Sequence, residues 1–319
     1  MLQAFPELGQ GEGGQAGYVP AWIDLLNPTD SEVEFVENTT GFRVPHREAL
    51  EEIESTSRNY QEGGAIYLSA PLIARAASPD GVLTPVGFIL GQRVLITLRF
   101  AELSAFTAAA TQAQAMRELS SGEAFVRLLE QIVDRGADLL EHAGGELDQL
   151  SHRAFHANRV RNRDIAEAST RLREALRAVG RMGDRTSQIR DSLLGLGRIT
   201  AYASETCGAR LEPELERRLS AVRADIMSLN DYEAHLANKV QFLLDATLGF
   251  INIEQNDIVK VLTIASIVGV PPVLVAGIYG MNFKIIPELS WAWGYPYSLM
   301  LMLVSALIPL IWFKWRGWM

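Results

Sequence analysis

The chain has 319 residues, 48% of them hydrophobic and 21% charged, a balance that excludes a disordered chain. Its single cysteine, Cys207, excludes an internal disulfide framework and any Cys-rich zinc or iron–sulfur site within one chain. Net charge is −9, spread as −13 over residues 1–150, +6 over the arginine-rich residues 151–198 and −2 over residues 199–319; this acidity argues against nucleic acid as a partner and leaves the Arg153–Arg198 run as a solvated or intersubunit helix face.

The N-terminal MLQAFPELGQGEGG has neither a basic region nor an apolar core, so it does not read as a signal peptide. Ala21–Leu26 predicts a short strand, Asn27–Asp30 a turn, and Ser31 with Glu34 a capping box opening a short helix. Arg47–Tyr60 has a helical pattern that Gly63-Gly64 breaks, and Ala65–Leu68 restarts as a strand. Val86–Leu90, Gly91-Gln92 and Val94–Leu98 predict a hairpin.

From Glu102 onward strand signals vanish. Ala101–Arg117, Glu123–Arg198 and Pro213–Asp257 carry apolar residues at three- and four-residue spacing, as helices do. Val126, Leu129, Ile132, Val133, Leu139 and Leu140 form one such stripe. Leu236, Val240, Leu243, Leu244, Leu248 and Ile251 form another. After a loop around Cys207-Gly208, Pro213 marks the start of a helix whose stripe meets no strong breaker except Gly249, so one long helix is expected to run on toward the C-terminus.

Val261–Tyr279 and Tyr295–Phe313 are each 19 residues without a charge, long enough as helices to cross the ~30 Å hydrocarbon core. Pro271-Pro272 would break a soluble helix; in a membrane the freed backbone groups find partners in neighbouring helices or a water-filled cavity. Lys260 before the first segment, and Lys314 and Arg316 after the second, put both termini on the cytoplasmic side of a bacterial-type inner membrane. Trp291, Trp293, Tyr295, Tyr297, Trp312, Trp315 and Trp318 fall where aromatic belts meet the interfaces. The expected fold class is therefore α+β: an α/β domain over residues 1–120, a long-helix region over 121–257 and a two-helix transmembrane domain over 258–319.

GFINIEQNDIVKVLTI (Gly249–Ile264), PPVLVAGIYGMNF (Pro271–Phe283), PEL (Pro287–Leu289), GYP (Gly294–Pro296) and the basic end at Lys314 and Arg316 together resemble the CorA family of divalent cation channels; AWIDLLNPTDSE near the front is similar more loosely. The resemblance implies a funnel-shaped homopentamer whose first membrane helix lines a central pore. Two helices cannot enclose a channel, so an oligomeric ring is also the physical expectation. The resemblance implies that Gly280, Met281 and Asn282 form the external selectivity loop, with Asn282 the principal ligand. It also implies that Asn256, Val259, Leu262, Ser266, Val270, Val273 and Gly277 face the pore, that Asp245 forms an acidic ring at the cytoplasmic mouth, and that Glu288 lies in the external loop. Val259, Leu262 and Val270 suit a hydrophobic constriction. Regulatory Mg²⁺ between subunits would bind helix carboxylates, with Glu216 and Asp225 as candidates beside Asp231 and Glu233. Three features depart from the family pattern: Val273 where Thr is frequent, Lys284 where an acid is frequent, and the arginines of 153–198 where acidic helices are common.

Mg²⁺ gives up water reluctantly, so a ring of neutral amide oxygens at Asn282 is suited to the hydrated ion. No Gly-x-x-x-x-Gly-Lys occurs, which points to passive uptake driven by the membrane potential. The resemblance implies Mg²⁺ as the ion, with Co²⁺ and Ni²⁺ as further cargo, and copies of the chain and membrane lipid as partners; no organic cofactor is expected. The alternatives are a Zn²⁺ transporter of the same superfamily and a membrane-anchored cytoplasmic sensor. His152 and His156, at i and i+4, have no accompanying carboxylate and read as surface histidines, and no spacing supports an enzyme.

Overall fold

The computed structural model describes residues 1–5, 20–52, 58–74, 81–116, 118–156, 165–207, 211–282 and 286–318. Most of the N-terminal leader segment, Gly208 and Lys284 lie outside them. The chain divides into two compact units, Met1–Val160 with Ala175–Leu244, and Arg161–Glu174 with Asp245–Met319.

In the first unit, six strands form one sheet: β1 (Leu2–Phe5), β2 (Trp22–Leu26), β3 (Asn59–Glu62), β4 (Ala65–Ala74), β5 (Val82–Leu90) and β6 (Leu95–Arg99). Their order is β1-β2-β6-β5-β4-β3; only β2 and β6 run parallel. Strands β2, β4, β5 and β6 are apolar nearly throughout because both faces are covered there. Val86, Phe88 and Leu95 point to one face, where they meet helices α3 (Ser104–Gln114), α4 (Ser121–His156), α5 (Ile165–Cys207) and α6 (Pro213–Tyr279). Their neighbours Ile89, Ile96 and Leu98 point to the other, where they meet Val36 of α1 (Asp30–Thr40) and Leu50 of α2 (Arg47–Glu51).

One buried polar chain crosses the sheet. Trp22 Nε1 donates to Thr97 Oγ1 at 3.0 Å, and Thr97 donates to Asp24 Oδ1 at 2.6 Å. Arg99 closes on Asp24 through Nε at 3.0 Å and Nη2 at 2.8 Å, and its guanidinium lies 5.0 Å from the centre of the Phe106 ring. A buried carboxylate alone would be costly; here Thr97 and Arg99 satisfy it together, and Trp22 fixes the Thr97 hydroxyl.

The sequence-based expectations hold for β2, for the β5–β6 hairpin and for the start of α6 at Pro213. Four need correction. The first helix is capped by Thr29 and Glu32, not Ser31 and Glu34: Glu32 accepts from Thr29 N at 2.9 Å, and Thr29 accepts from Glu32 N at 3.4 Å. Both pairs fit the spacing, and starting at the earlier one adds two residues of helix. Asn59 and Tyr60 belong to β3 rather than to a helix from Arg47, because Gly63 and Gly64, both at positive φ, form a two-residue hairpin turn that pairs Glu62 with Ala65. Tyr60 then stacks on its cross-strand partner Tyr67 at 4.8 Å. The helix expected over Ala101–Arg117 begins only at Ser104 and ends at Gln114, and Arg117 lies outside the described residues. Finally, the helical stretch expected over Glu123–Arg198 is divided into the antiparallel pair α4 and α5. Gly136 faces Leu193, and Glu146 meets Arg185 at 3.4 Å.

Leu139, Leu140 and Leu147 of α4, Ile189 and Leu193 of α5, and Leu236 and Leu243 of α6 share one core away from the sheet. Arg218 of α6 ties that helix to α4 by paired bonds to Glu130 (2.8 and 2.7 Å) and to Glu123 (2.9 Å twice). The 67 residues of α6 make a helix about 100 Å long at ~1.5 Å per residue.

Candidate functional site

The second unit contains the C-terminal half of α6, a 3₁₀ turn (Pro287–Ser290) and α7 (Gly294–Trp315). Both helices are long and apolar enough to cross a membrane. The seven aromatic residues assigned to interfacial belts are all exposed.

A helix turns about 100° per residue, so Asn256, Val259, Leu262, Ser266, Val270, Val273 and Gly277 fall within an arc of about 120°. All seven are exposed in the single chain, Val273 at 71% and Leu262 at 66%. Ile264, Val268, Pro271, Pro272, Val275 and Tyr279 are half-buried, and the same arithmetic centres them roughly opposite. The front of this half of α6, the arc of these seven, is thus more exposed than its back, although Thr263 on the front is half-buried and Val261 on the back is 58% exposed. Asp245 and Asn252, both exposed, continue that arc toward the N-terminus. Asn252 is absent from the predicted set; its spacing of four from Asn256 was the signal that could have found it.

The front is mostly apolar. Ser266 Oγ donates to the Leu262 carbonyl at 2.9 Å, so its proton is held by its own helix and its oxygen keeps lone pairs facing outward. Pro271 and Pro272 lie inside the helix, where their missing N–H groups leave the Ile267 and Val268 carbonyls without the usual helical donors.

At the C-terminal end, Gly280 N donates to the Ala276 carbonyl at 2.9 Å, Met281 N to the Ile278 carbonyl at 3.3 Å, and Met281 and Asn282 are exposed. Gly280 follows the last residue of α6 with a φ outside the left-handed region. A Cβ there would sit 3.0 Å from the Ala276 carbonyl, a tight contact. The same holds, more severely, for Gly294: a side chain there would strike the Glu288 carbonyl. Gly294 therefore lets α7 begin directly against the turn carrying the half-buried Glu288, a role not anticipated from the sequence.

Glu216 and Asp225 are exposed on α6 and nine residues apart, half a turn out of phase, so they cannot share a site within one chain. Asp225 adds to the negative potential around Asp134 of α4: burial pushes the Asp134 carboxyl up, and Glu130, Asp138 and Asp225 push it further. Among the described residues no three His, Cys, Asp or Glu side chains gather as metal ligands. His152 is exposed, and the side chain of His156 lies outside the described residues.

An α/β unit on long helices, ending in two helices apolar enough to cross a membrane, one with a more exposed front that leads to Gly-Met-Asn, defines the class: a protein that works at a membrane through its C-terminal helix pair. The model of the CorA-like Mg2+ transporter protein family matches residues 19–315, and the chain belongs to that family. It is 32% identical over 300 residues to the magnesium transport protein CorA of Escherichia coli strain K12, covering 93% of this chain and 92% of that one. It is 31% identical over 304 residues to the protein of the same description from Wolinella succinogenes, covering 93% and 91%. The complete structure of the CorA magnesium transporter from Methanocaldococcus jannaschii shares its fold, with a TM-score of 0.77 over 100% of this chain and 98% of that one at 19% identity.

Proposed function

We propose that this chain is a passive channel that imports Mg²⁺, and also passes Co²⁺ and Ni²⁺, down the membrane potential. The observation that supports the reading is the exposure of Asn256, Val259, Leu262, Ser266, Val270, Val273 and Gly277 along one arc of α6, followed by the exposed Asn282. The printed description of the Escherichia coli and Wolinella relatives, magnesium transport, supports the choice of ion.

Five copies arranged as a funnel-shaped ring would bring five such fronts to one axis. Asn282 of each would offer an amide oxygen to the first-shell water of the incoming ion, with Gly280 and Met281 setting its position. Such a site asks for no dehydration, which Mg²⁺ resists. Val259, Leu262 and Val270 would form an apolar constriction that empties of water when closed. Ser266, Asn256 and Asn252 would supply polar rings, Asp245 would gather cations at the cytoplasmic mouth, and Glu288 would do so outside. Two charges moving inward across ~100 mV gain about 4.6 kcal/mol, so no nucleotide is needed. In this reading residues 1–120 and 121–257 are cytoplasmic, residues 258–319 span the inner membrane with both termini inside, and Mg²⁺ between subunits at Asp225 and Glu216 favours the closed ring.

The test is ion flux into liposomes holding the purified protein, with Mg²⁺, Co²⁺, Ni²⁺ and Zn²⁺ in competition. Asn282→Ala should abolish Mg²⁺ uptake and leave the assembly intact. Unchanged uptake would remove Asn282 from the selectivity role, and uptake of Zn²⁺ alone would replace the ion.

A further inference from the structure

A cavity of about 400 Å³ lies inside the first unit, outside everything assigned above. Its walls are the end of β4, the start of α3, and the facing stretches of α4 and α5. Its size is within the ~300–1,000 Å³ range of small-molecule sites.

The lining separates into two chemistries. Leu72, Ile132, Leu139, Ile189, Leu193 and Leu196 make an apolar wall. The remainder is polar and incompletely satisfied. Arg135 lines the cavity; its Nη1 reaches Asp138 at 3.3 Å, but its Nε is buried with no acceptor. An unpaired buried N–H of a charged group is costly, which makes it a place for a ligand acceptor. Ser192, 9% exposed, also lines the cavity, and no bond from its hydroxyl is seen among the described residues. On the same helix Thr186 and Thr200 both donate back to carbonyls at 3.0 Å. The third feature is the start of α3. Leu103 caps it without a side-chain bond, and Phe106 and Thr107 N–H reach the Leu103 carbonyl at 3.1 and 3.3 Å. The N–H groups of Ser104 and Ala105, both on the cavity wall, precede these and have no acceptor within the helix. Partial positive charge at a helix start favours an anion.

Negative groups limit how much anion fits. Glu102 is on the lining, and Asp138 already shares the Arg135 guanidinium. With one cation against two carboxylates, net charge disfavours a phosphate dianion, and an anionic head is held by the unpaired donors: Arg135 Nε, the Ser192 hydroxyl and the N–H groups at the start of α3. From these features we infer that the cavity binds a small amphiphilic monoanion, a carboxylate carrying an apolar body: its head on Arg135 Nε, the Ser192 hydroxyl and the start of α3, its body against the leucine and isoleucine wall. This inference does not depend on the ion-transport reading.

The test uses the full chain in lipid nanodiscs, titrated calorimetrically with sodium octanoate and referenced to empty discs. Saturable binding at one site per chain is expected, with neither 1-octanol nor inorganic phosphate displacing it. Arg135→Gln should weaken octanoate at least tenfold, and Ser192→Leu, which fills the polar end, should abolish it. The Arg135 side chain is 37% exposed, so its variant keeps the fold and carries the test if Ser192→Leu does not. No saturable binding, or binding undiminished in Arg135→Gln, overturns the site. Displacement by octanol as strong as by octanoate removes the anion subsite, and displacement by phosphate removes the amphiphile.

Discussion

Two stretches of the same helix, Pro213–Leu244 and Asp245–Tyr279, share one backbone and differ in what their apolar side chains meet. In the first, Leu215, Leu219, Val222, Ile226, Leu236 and Leu243 form a stripe that is buried against α4, α5 and the sheet. In the second, the stripe fades: Leu248 is already 44% exposed, and Val259, Leu262, Val270 and Val273 are more so. A single chain completes the first stretch and leaves the second unfinished. Apolar surface in water costs about 25 cal/mol per Å², so the unfinished half calls for lipid on some sides and, on our reading, copies of itself on the front.

That contrast can be broken most sharply from the uncovered side. Leu262→Asn should ease wetting of the constriction and raise Mg²⁺ influx into liposomes several-fold; unchanged influx would place the gate elsewhere. In the covered half, the expected readout is stability instead of flux. Arg218→Gln strands the half-buried Glu123 and Glu130, and should lower the unfolding free energy at pH 7 by about 1–3 kcal/mol in denaturant titrations. Burial alone would raise the Glu123 carboxyl, but the guanidiniums of Arg218 and Arg127 hold it below the usual range. Its contribution is therefore present above the ordinary glutamate range and is lost as pH falls, so the penalty of Arg218→Gln should shrink in acid.

The smallest effect has the opposite sign. Glu233 is 3% exposed; burial pushes its carboxyl up, Arg190 at 4.0 Å opposes, and Asp191 adds to the rise. A raised carboxyl favours the folded state in acid and loses that advantage as pH climbs through its folded value. Glu233→Gln should therefore gain stability with rising pH, by about 2 °C in Tm at pH 8 and close to none at pH 4. A gain that is flat with pH would show that the carboxyl titrates normally.

How much could be read from the residues alone follows the same division. β2, β5 and β6 were legible because apolar runs bounded by turn residues are a local signal. β3 was not: Asn59-Tyr60-Gln61-Glu62 is polar and short, and only its pairing with β4 makes it a strand. The separation of α4 from α5 was hidden because strong helix formers continue through both, and the reversal is set by packing of Leu139 against Ile189 and Leu193. At the site, the seven α6 positions and the Gly-Met-Asn end were named from resemblance, with helical spacing only consistent with one arc. The need for Gly294 was not legible, since it comes from the Glu288 carbonyl that the turn before α7 brings close.

The most direct test of the central claim, that the front of α6 lines the ion path and its back does not, is thiol labelling on a Cys207→Ser background. With Ser266→Cys on the front, a charged thiol reagent should block Mg²⁺ influx. With Val268→Cys on the back, it should leave influx unchanged. Equal block at both positions, or block at Val268→Cys alone, would contradict the account.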